Sequence, residues 1–368
     1  MKRHMRIAIL IDVFAGGGKE RRCLQMLKGL KRRGITDLHI ILIDNIIDYP
    51  DIYNEAKVHI IGRKNKYDIG VFYRIYKLLK DLKPDFIMTW TLMKFSLYIC
   101  VIKPFIKCKY ISAIVTAAQP IKKYSLSNLV KYISFKQADV IVGNSKAGIT
   151  AYKAPQKKSQ VIYNGFDYDR LQNIIPKSII LKQLNITTKY VISMAARINR
   201  HKDFQTYIDA AKMILTERQD ITFLCIGKGE LIEFYQKQLS EFEKKYILFL
   251  GFRKDVDSIL SASDISVLCT NNKIHKEGVS NTILESMAYG VPVIATTGGG
   301  TDEIVLDNET GFIIPPFSPN TLKMKIEAIL NDSILFLKMK EKSQARIKKN
   351  FSLDLMVENY IKLFSENA

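Results

Sequence analysis

Apolar runs rich in β-branched residues alternate with helix-period segments, and the alternation runs twice along the 368 residues. In the first pass, strands are expected at 6–13, 38–43, 58–61, 85–90, 109–115, 139–143 and 160–163. Helices follow the glycines at 16–18 and fall at 69–82 and 126–138. In the second pass, strands are expected at 190–196, 221–226, 247–250, 265–269, 293–295 and 311–314. Helices are expected at 203–216, from 230 to about 243, and at 256–262, 321–330 and 334–349. A chain of this pattern folds as α/β, each pass a parallel sheet covered on both faces by helices. Between the passes, 166–189 is polar and irregular and contains Pro176. The expected division is a domain at 1–168, a linker at 169–188 and a domain at 189–350. A last helix in 351–368 turns Met356, Tyr360, Leu363 and Phe364 inward.

The length allows two separate cores. The five cysteines and five histidines are scattered, with no metal-ligand spacing, so no structural or catalytic metal is expected and free thiols fit a cytoplasmic protein. The basic start runs into an apolar stretch too short for a secretory leader. The longest apolar stretch, 95–102, sits between Lys94 and Lys103 and cannot span a bilayer.

The net charge of +20 is segregated. Residues 1–185 hold 33 Lys and Arg against 13 Asp and Glu; residues 186–368 hold 23 of each. Solubility charge would not separate so completely. A large anionic partner on the N-terminal side is expected, nucleic acid or an acidic membrane. No nucleic-acid motif is present, and 120–137 mixes Lys122, Lys123, Lys131 and Lys136 with Leu126, Leu129 and Ile133. That helix either lies on a membrane surface or buries its apolar side in the core with its lysines in water.

The most informative stretch is 273–305, KIHKEGVSNTILESMAYGVPVIATTGGGTDEIV. Glu277 and Gly278 open a turn, Ser280 stands at a helix start, Gly290 stops the helix and Pro292 prevents its return. The amides near Gly278, Val279, Ser280, Asn281 and Thr282 suit a phosphate. Glu285, one turn in, and Glu277, before the helix, can accept hydrogen bonds from hydroxyls. A nucleotide-sugar has that layout of ribose diol, diphosphate and hexose. Two glutamates alone would read as solvated charges on a surface helix.

Other candidates sit where strands end. Arg197 and Lys202 in AARINRHK suit a diphosphate, though alone they read as surface cations. Gly16, Gly17 and Gly18 let backbone approach a phosphate or sugar, and their spacing is not G-x-G-x-x-G. Glu20 and Arg21 follow them with no settled role. Gly227 and Gly229 read as a pocket lining. Arg253 lines a base pocket or pairs with Asp255 or Asp257.

The ordered set Glu277, Asn281, Glu285, Gly290, Pro292, Gly299, Gly300 and Glu303 resembles the signature of the retaining glycosyltransferases of family 4, with two glutamates separated by seven residues. The resemblance is good over the C-terminal half and looser before it. It implies the GT-B fold, two Rossmann-like doubly wound domains facing across a cleft, with the last helix crossing back to the first. It implies that Arg197 and Lys202 hold phosphate, a role with no counterpart for Arg200. Glu285 would bind ribose and Glu277 the transferred sugar, with Arg197, Lys202 and Glu277 the catalytic set and Gly17 and Gly18 touching the donor. The implied activity is metal-independent transfer, with retention, of a hexose or N-acetylhexosamine from a nucleoside-diphosphate sugar, UDP by family frequency. The acceptor would be a glycan or lipid-linked molecule of bacterial surface-polysaccharide synthesis. Many relatives carry a histidine where this chain reads IVTAAQ; Thr116 and Gln119 are the polar acceptor-side residues there. The rival readings are a nucleotide-sugar epimerase or phosphorylase, a basic nucleic-acid-binding protein, and a non-catalytic sugar-binding scaffold.

Overall fold

The structure is a computed structural model that describes residues 5–65, 67–90, 94–115 and 124–368. Thr116, Gln119, Lys122 and Lys123 lie outside the described residues. The chain divides into two compact units, Met1–Gly165 with Leu353–Ala368, and Phe166–Ser352.

The first unit holds strands β1 (Arg6–Ile11), β2 (Asp37–Leu42), β3 (Lys57–Ile60), β4 (Phe86–Thr89), β5 (Lys109–Ile114), β6 (Val140–Gly143) and β7 (Ser159–Val161). They form one parallel sheet in the order β3-β2-β1-β4-β5-β6-β7. The second unit holds β8 (Tyr190–Ala195), β9 (Ile221–Ile226), β10 (Ile247–Gly251), β11 (Ile265–Leu268), β12 (Val293–Thr296) and β13 (Gly311–Ile314). Its sheet is also parallel, in the order β10-β9-β8-β11-β12-β13. Strands β2, β9, β11 and β12 are buried along their whole length. Both faces of each sheet are covered, which explains why these strands read as continuous apolar runs and not as alternation.

In both sheets the chain winds outward from its first strand and then restarts on that strand's other side. The order reverses between β1 and β4, and again between β8 and β11. Open parallel sheets bind ligands at the carboxyl ends of the strands beside such a reversal. This topology therefore marks one candidate position in each unit.

The helix Leu353–Glu366 belongs to the first unit, although it follows the second in sequence. Met356, Val357, Tyr360, Leu363 and Phe364 are buried in the core under β1. Phe364 meets Phe86 edge-on at 5.1 Å. Gly29 lets the helix Gly18–Arg32 come close, since a Cβ there would collide with Val357.

The stretch expected as an irregular linker is ordered within the second unit. Tyr168–Asn173 is a 3-10 helix and Lys177–Gln183 an α-helix. The Ile175 amide donates to Ser258 Oγ at 3.0 Å, and Lys177 pairs with Asp264 at 2.7 Å. Seven helical residues are too few for a helical period to stand out in a polar sequence. The helix expected from 230 to about 243 shrinks to Ile232–Gln236. Among the described residues, no helix is long and apolar enough to cross a membrane.

Candidate functional site

In the second unit, the loop after β8 folds against the end of β11. Lys202 and Thr270 form an antiparallel bridge. The Asp203 amide donates to the Cys269 carbonyl at 3.0 Å, and the Asn271 amide to the His201 carbonyl at 3.0 Å. Asp203 then caps the helix Phe204–Leu215 through the Thr206 amide. Lys202 is thus fixed at the sheet's reversal, between a strand end and a helix start.

Its ammonium donates to Oε1 of Glu277. Thr270 Oγ1 donates to the same oxygen at 3.1 Å, and His275 Nε2 stands 3.4 Å from it. The His275 ring stacks on His201 at 4.9 Å and 11°. All three partners meet Oε1, and no described residue bonds to Oε2. Burial pushes the Glu277 carboxyl up, but the charge of Lys202 and the His275 contact outweigh it and hold the group well below the usual carboxylate range. The backbone is clamped as well. The Gly300 amide donates to the Glu277 carbonyl at 2.9 Å. Gly299 turns there at φ +68°, and a Cβ would collide with the same carbonyl.

The helix Asn281–Ala288 starts next. Ser280 takes its N-cap position without a side-chain bond. Gly278, Val279 and Ser280 are buried, and Asn281 and Thr282 are half-buried. Thr282 Oγ1 donates to the Ala195 carbonyl at 3.1 Å, pinning the helix start to the end of β8. Glu285 is only 3% exposed. Its Oε1 accepts from Arg170 Nη1 at 3.0 Å, and the rest of the Arg170 fork grips Asp257.

The remaining candidates separate. Arg197 follows β8 with its side chain exposed and paired to no described residue, so it stays available to an anion. At Gly227 and Gly229 a Cβ would collide with the carbonyls of Ala196 and Ile198. Their bareness therefore serves the crossing of two loops, where the Ile198 amide donates to the Lys228 carbonyl at 2.9 Å. Arg253 pairs with Asp255, with Nε at 2.8 Å and Nη2 at 2.7 Å from its oxygens.

Gly17 and Gly18 lie in the first unit, where the helix Gly18–Arg32 starts after β1. A Cβ at Gly17 would collide with the Glu20 carboxylate, which is folded beneath the turn at 2% exposure. Lys19 Nζ stands 3.3 Å from Glu20 Oε1 and 2.7 Å from Asp12 Oδ1. Glu20 Oε2 is buried with no hydrogen-bond partner among the described residues. Burial raises this carboxyl further than Lys19 lowers it. Among the described residues, no three His, Cys, Asp or Glu side chains gather in a set that could hold a metal ion.

Sequence reasoning missed Thr270, His275 and Arg170, and offered Asp257 only as a partner for Arg253, whereas it holds Arg170. His275 stands two residues before Glu277, a spacing that could have flagged it. Arg170 lay in the supposed linker, and nothing local announced its partners.

Two parallel-sheet, Rossmann-like units with this strand order define a GT-B protein. HepE of Anabaena, solved in complex with UDP, matches 98% of this chain and 100% of its own at TM-score 0.85 and 18% identity, a likeness of fold. Residues 176–350 match the family described as Glycosyl transferases group 1. N-acetyl-alpha-D-glucosaminyl L-malate synthase of Bacillus anthracis is 26% identical over 64% of the chain and 61% of its own length. The capsular polysaccharide biosynthesis glycosyltransferase CapM of Staphylococcus aureus is 26% identical over 66% of each. The chain spans less than two thirds of the length of the curated relatives it matches.

Proposed function

We propose that this protein is a retaining glycosyltransferase. It moves a hexose or N-acetylhexosamine from a nucleoside-diphosphate sugar, UDP in preference to GDP, to a glycan or lipid-linked acceptor in bacterial surface-polysaccharide synthesis. The observation that carries the reading is Glu277. Three partners hold one oxygen of a buried carboxylate and leave the other with no partner among the described residues. A solvated surface glutamate has no use for such a grip; a residue that must accept sugar hydroxyls in one geometry does. The UDP complex of a fold neighbour supports the choice of nucleotide.

In the reaction, the bond between the anomeric carbon and the diphosphate oxygen breaks, and charge grows on the leaving phosphate. Arg197, Lys202 and the amides of 279–282 meet that charge. Preorganised donors of this kind act mainly on the transition state. The Lys202 ammonium has three donors, so it can serve Glu277 and a phosphate oxygen together. The acceptor oxygen bonds to the anomeric carbon on the face of departure, and its proton passes to the departing phosphate. Lys202, Arg197 and the amides supply the positive charge, and the reaction runs without a metal or other cofactor. NMR of the product tests this reading: an α-linked donor should give an α-linked product, with turnover unchanged in chelator. Inversion, or activity lost to chelator and restored by Mg²⁺, would overturn it.

The first unit would bring the acceptor to an acidic membrane, the protein working in the cytoplasm at the inner face of the cell membrane and not on nucleic acid. Leu126, Leu129 and Tyr132, on the helix Leu126–Gln137, are 69%, 54% and 64% exposed. Lys131, Lys136, Lys153 and Lys158 line the groove of 920 Å³ beside them. Apolar tips among lysines suit an anionic lipid surface. Sedimentation with phosphatidylglycerol vesicles, lost in Leu129→Glu, is the expected result; equal binding to neutral vesicles would contradict it.

A further inference from the structure

We propose that Arg170, anchored on Asp257, is a positioning residue that sets Glu285 for the ribose diol of the nucleotide. The proposal rests on reading Glu285 as the ribose-binding carboxylate and adds what holds it there.

Glu285 is buried on a helix whose first turn is pinned to β8. A carboxylate removed from water needs a charge partner and hydrogen bonds. Arg170 supplies both to one oxygen, donating from Nη1 at 3.0 Å. Its own orientation is not free. Nε donates to Asp257 Oδ2 at 3.0 Å and Nη2 to Oδ1, so two parallel bonds fix the plane of the guanidinium. The Phe166 ring lies under that plane at 5.3 Å. Phe166 meets Tyr289 edge-on at 5.4 Å and 89°, and Tyr289 is the C-cap of Glu285's own helix. The orientation of Asp257, on the helix Val256–Ala262, is thereby passed through a rigid fork to Glu285.

A ribose diol presents two adjacent hydroxyl donors, and a carboxylate accepts both well in one rotamer only. Fixing that rotamer beforehand removes an ordering cost from nucleotide binding. A lysine at 170 would keep the charge but could not hold Asp257 with two parallel bonds while reaching Glu285. The same arrangement makes the site selective for ribonucleotides. A nucleotide without the diol gives up the hydrogen bonds that a carboxylate already aimed at it would accept.

The test is calorimetric titration of UDP and 2′,3′-dideoxy-UDP into the full chain, wild type and three variants. The wild type should favour UDP roughly ten- to hundredfold. Arg170→Gln and Asp257→Asn should bring the two affinities together, and Arg170→Lys should fall between. The ratio is measured on one preparation, so a partly unfolded variant does not alter it. If the wild type discriminates and both Arg170→Gln and Asp257→Asn discriminate equally well, the positioning role is overturned and Glu285 keeps its own. If the wild type binds both nucleotides equally, the ribose reading of Glu285 fails and the role of Arg170 fails with it.

Discussion

Each unit carries a buried glutamate at the carboxyl end of its sheet, and the two are held in opposite ways. Glu277 has three partners on one oxygen and sits well below the ordinary carboxylate range. Glu20 meets Lys19 at 3.3 Å, keeps a buried oxygen with no partner among the described residues, and is raised from its usual value by burial. Both are buried and burial pushes both carboxyls up, so burial alone does not explain their opposite shifts. What separates them is the number of donors aimed at the carboxylate. The second unit has a charged site prepared before any ligand arrives; the first has a carboxyl that burial raises under a glycine turn. Preorganised charge is what a leaving diphosphate needs, which is why the chemistry is assigned to the second unit.

The units also differ in what supports them. The helix that carries Glu20 packs on Leu353–Glu366, at the far end of the chain, while the Glu277 site is built wholly from Phe166–Ser352. Deleting 353–368 exposes the core places of Met356, Val357, Tyr360, Leu363 and Phe364. Each is worth about 1.5–3 kcal/mol, together comparable with the whole stability of a domain, about 5–15 kcal/mol. Calorimetry should show the first unit's transition lost and the second unit's retained. Two unchanged transitions would refute the difference.

The next effect in size separates charge from packing. Lys202→Ala should lower kcat roughly a hundred- to thousandfold, the cost of a positioned charge donor, about 2.7–4 kcal/mol. It also strands Glu277 as a buried charge, so stability should drop by about 3 kcal/mol. Near-normal turnover in a folded variant would contradict the assignment.

A pH series sharpens the contrast further. The folded-state value of Glu277 is depressed, so its contribution to stability is full above the unfolded value, about 4.3, and fades as pH falls below it. The stability gap between wild type and Glu277→Gln, read from urea midpoints, should be widest at pH 7 and narrow steadily toward pH 3. Glu20 is raised, so the sign reverses. Its folded form is favoured below about pH 4.3 and penalised as pH climbs through its folded value. Glu20→Gln should therefore match the wild type at pH 4 and equal or exceed it by about 1 kcal/mol at pH 8. A loss of stability there would mean that the Lys19 contact outweighs burial.

Much of this was readable in the sequence because it depends on local rules. The strands are continuous apolar runs, and the glycine at 290 and proline at 292 punctuate the helix that carries Glu285 as expected. Glu277, Lys202 and Glu285 were singled out from motif and spacing. What was not readable is long-range. The Lys202 ammonium reaches Glu277 across 75 residues of chain, and Arg170 reaches Glu285 across 115. The glycines at 227 and 229 also sit where one loop passes another, which no local pattern encodes. The segment holding Arg170 read as a linker because a polar stretch tied down by side-chain bonds looks the same as one that is not.

The most direct test is a crystal structure with UDP-glucose bound. Expected are a sugar hydroxyl within about 3 Å of Glu277 Oε2, the diphosphate on Lys202, Arg197 and the amides of 279–282, and the ribose on Glu285. A donor bound only at the glycine turn beside Glu20, with Glu277 Oε2 still untouched, would contradict it.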